Sequence, residues 1–174
     1  MTPADTLLVL RAQQGDRAAL DATLKSIQRP LFAYLARLVA HSGVAAEDVL
    51  QETLIRIVRN LEWLKEARYF RTWAFRIASR EAFRAIGRSR SAPPLEELDD
   101  QLPAPSFSRD EVRELGEIVS RLSPASQAVV VLHFYEDLPL DEVADVLEIP
   151  LGTVKSRLSY GLKQLREETK RWTH

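Results

Sequence analysis

The sequence predicts an all-α protein: two small helical domains joined by a flexible, acidic, Pro-rich linker, the C-terminal one containing a helix-turn-helix. Three observations carry that reading. Apolar residues recur at three and four positions along most of the chain, with no alternating run that would mark a strand. Glycine is scarce, at six of 174 residues. The stretch "SAPPLEELDDQLPAPSFS" (91–108) holds four prolines and four acids, a composition that disfavours packing into either neighbour.

The elements follow in order. Residues 4–14 form a short first helix closed by Gly15-Asp16, and 16–40 a longer one interrupted or kinked near Pro30. Gly43 punctuates. From Ala45 to about Leu61, Leu50, Leu54, Ile57, Val58 and Leu61 make an apolar stripe, with Asp48, Gln51, Glu52, Ile55, Arg56 and Arg59 on or beside the opposite face. A fourth helix spans about 69–89, with Phe70, Trp73 and Ile77 spaced as core residues. Residues 1–90 form the first domain, 91–108 the linker and 109–174 the second domain. The second domain holds helices at about 109–121, 125–135 with Ser123 as N-cap, 140–147 and 152–171.

Composition excludes several classes. With 45% hydrophobic and 28% charged residues, the chain has enough apolar content to fold and too much to be disordered throughout. The apolar run "AVVVL" (128–132) is far short of the roughly 18 residues a membrane span needs, and "MTPAD" lacks the cationic start of a signal peptide. A cytoplasmic protein without membrane insertion is expected. There is no cysteine, so disulfides and thiolate zinc sites are excluded and any redox sensing belongs to a partner. His41, His133 and His174 lie far apart and have no metal-ligand spacing. No nucleophile-base pair, Gly-rich phosphate loop or carboxylate dyad is evident. Neither catalytic residues nor a cofactor is expected, and the protein is not read as an enzyme.

The net charge of −1 conceals a strong segregation. Residues 1–55 carry −1, 56–90 carry +7, 91–150 carry −11 and 151–174 carry +4. Two cationic blocks flank an acidic middle, which suggests two polyanion-facing surfaces separated by a segment that DNA or RNA would repel. The opposite charges of 56–90 and 91–150 also permit a closed form in which the chain masks itself.

The C-terminal helices carry the clearest motif. "LDEVADVL" (140–147) is a short amphipathic helix with small Ala144 where another helix could approach. Glu148-Ile149-Pro150 makes a tight connection, and Val154, Leu158, Leu162 and Leu165 supply the second helix's buried stripe. On that phase Lys155, Ser156 and Ser159 point outward near the helix start, beside Thr153 and Arg157. Lysine can reach guanine acceptors, serine can reach either type of base edge, and backbone amides with Arg157 can hold phosphates.

In the first domain, Arg76, Arg80, Arg84 and Arg88 recur every four residues and draw a cationic stripe along the fourth helix. The like-charge pairs cost roughly 0.2–0.5 kcal/mol each in an isolated helix, only partly offset by Glu81. A phosphate backbone would turn that cost into attraction. The alternative is a solvated face whose arginines pair with acids elsewhere in the fold. Trp73 is assigned to packing, whereas Trp63 and Tyr69, flanking a loop that also carries Lys65 and Arg68, are candidates for stacking on an extruded base.

Three stretches resemble one family. "LSPASQAVVVLHFYEDLPLDEVADVLEIPLGTVKSRLSYGLKQLRE" (122–167) resembles the promoter −35-reading domain of extracytoplasmic-function sigma factors, the two-domain specificity subunits of bacterial RNA polymerase. "AEDVLQETLIRIVRNL" (46–61) is similar to the family helix that docks on the coiled coil of the largest polymerase subunit. "FRTWAFRIASREAFRAIGRSR" (70–90) is similar to the helix that reads and helps open the −10 element. The resemblance implies −35 contacts by Thr153, Lys155, Ser156, Arg157, Ser159 and Tyr160. It implies −10 contacts by Trp63, Lys65, Arg68, Tyr69, Arg76, Arg80, Arg84 and Arg88, and polymerase contacts by Asp48, Gln51, Glu52 and Ile55.

The chain departs from the pattern at Glu148, where the family usually has glycine, and at His133, where arginine is common. Arg80 and Arg84 also stand where Asn and Asp often appear, which implies an altered promoter preference. The partners expected are core RNA polymerase, promoter DNA and an anti-sigma factor. Two promoter sites about one and a half turns apart are roughly 51 Å apart. Eighteen extended residues reach about 60 Å. Two other readings stand beside this one: a stand-alone helix-turn-helix regulator, and a sigma mimic that sequesters an anti-sigma factor without reaching DNA.

Overall fold

Helix α1 (Pro3–Gln13) begins in a capping box. The Thr2 hydroxyl accepts from the Asp5 amide while Asp5 accepts from the Thr2 amide at 2.7 Å, and Pro3 fills the first helical position. Gly15, at φ +89°, turns the chain into α2 (Arg17–Val39), whose N-cap Asp16 accepts from the Ala19 amide at 3.0 Å. The computed structural model describes residues 2–89 and 109–172. The expected linker 91–108 lies outside the described residues, as does His174.

Pro30 does not interrupt α2, contrary to the alternative of a broken helix. A mid-helix proline costs about 3 kcal/mol. The same helix buries Ile27, Leu31, Tyr34, Leu35 and Leu38, each worth about 1.5–3 kcal/mol on burial, so packing keeps it whole. Tyr34 is wholly buried: its hydroxyl lies 2.8 Å from Ser79 Oγ, and its ring meets Phe75 edge-on at 5.5 Å. Ser79 spends its own proton on the Phe75 carbonyl, which makes Tyr34 the donor.

Helix α3 (Ala46–Asn60) buries Val49, Leu50, Thr53 and Ile57. Val58 does not belong to that stripe. It is 45% exposed, because one position beyond Ile57 turns it about 100° away from the core. Two 3₁₀ turns, Leu61–Trp63 and Ala67–Tyr69, lead into α4 (Phe70–Ser89). Here burial has period three: Leu61, Leu64, Ala67 and Phe70 face inward. Helices α1 to α4 pack together as the first domain.

In the second domain the expected helix over 109–121 is broken into α5 (Arg109–Glu114) and α6 (Gly116–Val119). The Tyr135 hydroxyl lies 2.9 Å from the Val112 carbonyl and 3.3 Å from that of Arg113, acceptors that a continuous helix would have used. Helix α7 (Pro124–Phe134) has Ser123 as its N-cap, accepting from the Ser126 amide, and is buried along most of its length. Helices α8 (Leu140–Leu147) and α9 (Leu151–Trp172) complete the domain. The α7–α9 crossing is close at Gly161, where a Cβ would sit 3.1 Å from Val130 Cγ2.

The two domains pack against one another through α4 on α8 and α2 on α7. The closed arrangement that the charge segregation permitted is the one present.

Candidate nucleic-acid interface

Helices α8 and α9 form the helix-turn-helix. Val143 and Val146 of α8 and Val154, Leu162 and Leu165 of α9 are buried; Leu158 is only half-buried. The turn is set by Glu148 in the left-handed region, φ 55° and ψ 42°, and the Ile149 amide reaches back to the Ala144 carbonyl at 3.2 Å. Pro150 then leads into α9, whose first turn begins with the Val154 amide on the Pro150 carbonyl.

At the tip of α9, Lys155 is exposed and Thr153, Ser156, Arg157, Ser159 and Tyr160 are half-buried. All six expected residues therefore lie along the first three turns of one helix. Ser156 Oγ is within donating distance of the Gly152 and Thr153 carbonyls, at 3.2 and 3.1 Å. With its proton engaged there, it offers lone pairs to a base-edge donor. Tyr160 Oη accepts from Gln164 Nε2 at 3.2 Å. Arg157 has no acid partner among the described residues, and burial lowers its pKa. A half-buried cation without a counter-charge is a ready phosphate ligand.

The loop of the first domain presents the second expected set. The period-three burial leaves Trp63, Lys65, Arg68 and Tyr69 facing outward, Trp63 at 75% exposure. Gln13 Nε2 pins this loop to α1 by donating to the Leu61 and Leu64 carbonyls at 2.9 and 2.8 Å. The Arg68 guanidinium lies 4.8 Å from the Tyr69 ring centroid and also pairs with Glu66. Trp73 is half-buried beside Phe70, with ring centroids 6.2 Å apart, in agreement with its packing assignment.

The arginine stripe exists but is largely engaged. Arg76 Nε donates to the Asp145 carbonyl at 2.9 Å. Arg80 grips Glu148 with two bonds, 2.7 and 2.5 Å. That hydrogen bond is the chief cause of a raised pKa at Arg80 and a lowered one at Glu148. Arg84 pairs with Glu81 at 2.8 Å, and Arg88 is exposed. Pairing with an acid elsewhere in the fold, rather than a solvated cationic face, thus describes Arg80 in this closed state.

The sequence missed the partners that complete the interface. Arg71 donates to both the carbonyl and the carboxylate of Glu136 at 2.9 Å, and the Thr72 hydroxyl donates to Glu142 at 2.8 Å. Gln127 donates to the Arg37 carbonyl, and the Arg37 guanidinium lies 4.4 Å from the centroid of the Tyr135 ring. The only signal for these contacts was regional charge.

On α3, Asp48, Gln51, Glu52 and Ile55 are all exposed, and their i, i+3, i+4, i+7 spacing puts them on one face. Exposed Val58 follows Ile55 by three positions and adds an apolar residue beside that face, where the sequence pattern predicted burial. Among the described residues no group of three or more His, Cys, Asp or Glu could hold a metal ion, and no helix is long and apolar enough to cross a membrane.

Two helical units with no strand among the described residues, the second led by a cationic helix-turn-helix tip, define a two-domain DNA-binding protein of transcription. Residues 24–92 match the family Sigma-70 region 2, and residues 118–167 match Sigma-70, region 4. Together they take in about two thirds of the chain. The RNA polymerase sigma-H factor of Pseudomonas aeruginosa is 28% identical over 170 residues, covering 88% of each chain. The ECF RNA polymerase sigma-E factor of Haemophilus influenzae is 26% identical, covering 88% of this chain and 89% of its own. Among solved structures, CnrH in complex with the cytosolic domain of CnrY shares the fold at TM-score 0.71 and 22% identity, over 97% of this chain and 98% of that one. The sigma factor RpoE, solved with the anti-sigma factor NepR from Bartonella quintana, does so at TM-score 0.64 and 20% identity, over 86% and 96%. The chain belongs to the sigma-70 family, in its extracytoplasmic-function class: it is an RNA polymerase sigma factor that directs initiation of transcription.

Proposed function

We propose that this sigma factor divides promoter recognition and polymerase docking among three of its surfaces. The tip of α9 enters the major groove at the −35 element, with Lys155, Ser156 and Ser159 facing base edges and Thr153, Arg157 and Tyr160 facing the backbone. The loop residues Trp63, Lys65, Arg68 and Tyr69, with Arg76, Arg80, Arg84 and Arg88 of α4, take one strand of the −10 element as it opens. The exposed face Asp48, Gln51, Glu52 and Ile55 docks on core polymerase, with Val58 extending it. The acidic segment 91–108 links the domains and is repelled by nucleic acid.

The observation that carries this reading is the separation of charge by surface. The acidic and apolar face of α3 and the cationic tip of α9 are both exposed, on different domains. A stand-alone regulator has no use for the first, and a mimic none for the second. The protein acts in the cytoplasm and performs no covalent chemistry of its own; polymerase supplies that. An anti-sigma protein is a further partner, on the precedent of RpoE with NepR. Run-off transcription with purified core polymerase tests the whole: stimulation from a subset of promoters is expected. DNA binding without any affinity for core would overturn it.

A further inference from the structure

We infer that Glu148 is a latch: it holds the second domain over α4 and makes promoter engagement by α4 conditional on the domains parting. This rests on the assignment of α4 to the −10 strand proposed above.

Three observations converge on it. Glu148 occupies a left-handed turn position, at φ 55°, where glycine would sit without strain. A glutamate there needs a reason outside the turn. Its carboxylate supplies one, making a two-bond pair with Arg80 of the other domain. The neighbouring bonds are in register with that pair. Thr72, Arg76 and Arg80, at intervals of four along α4, hold the Glu142 carboxylate, the Asp145 carbonyl and the Glu148 carboxylate, at intervals of three along α8 and its turn. One edge of α4 is thereby zipped to the helix-turn-helix.

The consequence is a competition. While Arg80 is paired with Glu148, a phosphate must compete with that carboxylate for its guanidinium, and Arg76 has its Nε–H committed to the Asp145 carbonyl. The tip of α9 is left exposed in the same state, with Lys155 accessible. The closed protein therefore engages the Arg76 and Arg80 part of its −10 surface, while the loop residues Trp63, Lys65, Arg68 and Tyr69 and the −35 surface stay open. Its apparent affinity through α4 is reduced by the fraction of molecules that are open.

The test uses the full chain, which has no native cysteine. Gln28→Cys and Lys163→Cys, both at exposed positions in different domains, receive a donor and an acceptor dye for single-molecule energy transfer. A dominant high-transfer population is expected at about 0.05 M salt, declining at about 0.5 M as the ion pairs are screened. Glu148→Gly and Glu148→Gln should each lower the closed-to-open ratio by about two- to fivefold, the effect of losing one half-exposed ion pair. Binding of random-sequence, fluorescein-labelled single-stranded DNA 12-mers should strengthen by the same factor. Glu167→Gln, removing an acid outside the interface, sets the effect of charge alone.

The two variants should differ in melting temperature, because Gly relieves the left-handed strain and Gln does not. A purely local role for Glu148 would move that temperature and leave energy transfer alone. Arg80→Glu with Glu148→Arg should restore the high-transfer population. Unchanged energy transfer in both single variants overturns the latch. Opening with no gain in single-strand binding beyond that of Glu167→Gln keeps the latch and overturns the placement of the −10 strand on α4.

Discussion

Arg56 on α3 and Glu81 on α4 meet at 2.7 Å, with the glutamate side chain only 7% exposed. Arg84 closes on the same carboxylate from one turn along α4, at 2.8 Å. Glu81 thus ties the proposed polymerase-docking helix to the proposed DNA helix. A buried carboxylate stripped of one partner keeps its desolvation cost. Arg56→Ala should lower unfolding free energy by about 1–2 kcal/mol, a figure kept small because both arginines are half-exposed to water. Urea titration measures it; an unchanged midpoint would mean that Arg84 alone satisfies Glu81.

Replacing Lys155 and Ser156 with alanine should cut discrimination between a cognate and a scrambled −35 site by about 1–3 kcal/mol per good base contact. Affinity for core polymerase should be untouched, since both residues lie on α9, on the other domain from α3. Competition binding of holoenzyme to the two duplexes gives the number.

Reversing Asp48 and Glu52 to lysine should have the opposite signature. Both are fully outside the core on one face of α3, so the fold tolerates them. Core polymerase binding should weaken by tenfold or more, an estimate of roughly 1.4 kcal/mol for two reversed contacts. The melting temperature should fall by only a few degrees, the cost of placing a cation in the first turn of α3. Val58→Asp, on the same exposed side, should act in the same direction; if only the charge reversals do, the apolar part of the surface lies outside the contact.

Acidity should act on Glu136, which sits between the domains. Burial is the largest influence on its carboxyl and raises its pKa; Arg71 and then Arg37 pull it down, and Asp137 adds a smaller upward push. For an acid whose folded pKa exceeds its unfolded value of about 4.5, the folded state holds the proton more tightly. Stability from this group is therefore full below about 4.5 and declines as pH rises through the raised folded value. Glu136→Gln removes that slope. The stability difference between variant and parent should shift in favour of the variant as pH climbs from 4.5 toward neutral, read by urea unfolding at a series of pH values. A difference that does not change with pH would mean that Arg71 fully compensates the burial.

Much of this architecture was legible in the order of residues, because helices announce themselves locally. Capping by Ser123, the Gly15-Asp16 closure, the amphipathic α8 and the outward tip of α9 each depend on neighbours within a turn or two, so spacing alone placed them. The face Asp48 to Ile55 emerged for the same reason. Where the local pattern was ambiguous, distant residues decided. Val58, by contrast, looked like core by type alone, and its local phase one position beyond Ile57 turned it outward. A helix expected over 109–121 was split, with the Tyr135 hydroxyl positioned at the Val112 and Arg113 carbonyls from more than twenty residues away.

What the sequence by itself determined is a strand-free pair of domains, a helix-turn-helix with a basic leading edge and the segregation of charge that allows closure. Only the tertiary structure decided which acid each arginine meets. That choice depends on the rotation of α4 against α8, set by packing across two domains and not by the spacing within either helix. Arg80 could be read from the sequence as a cation in a stripe; that its partner is the strained glutamate of a turn 68 residues away follows from the fold alone.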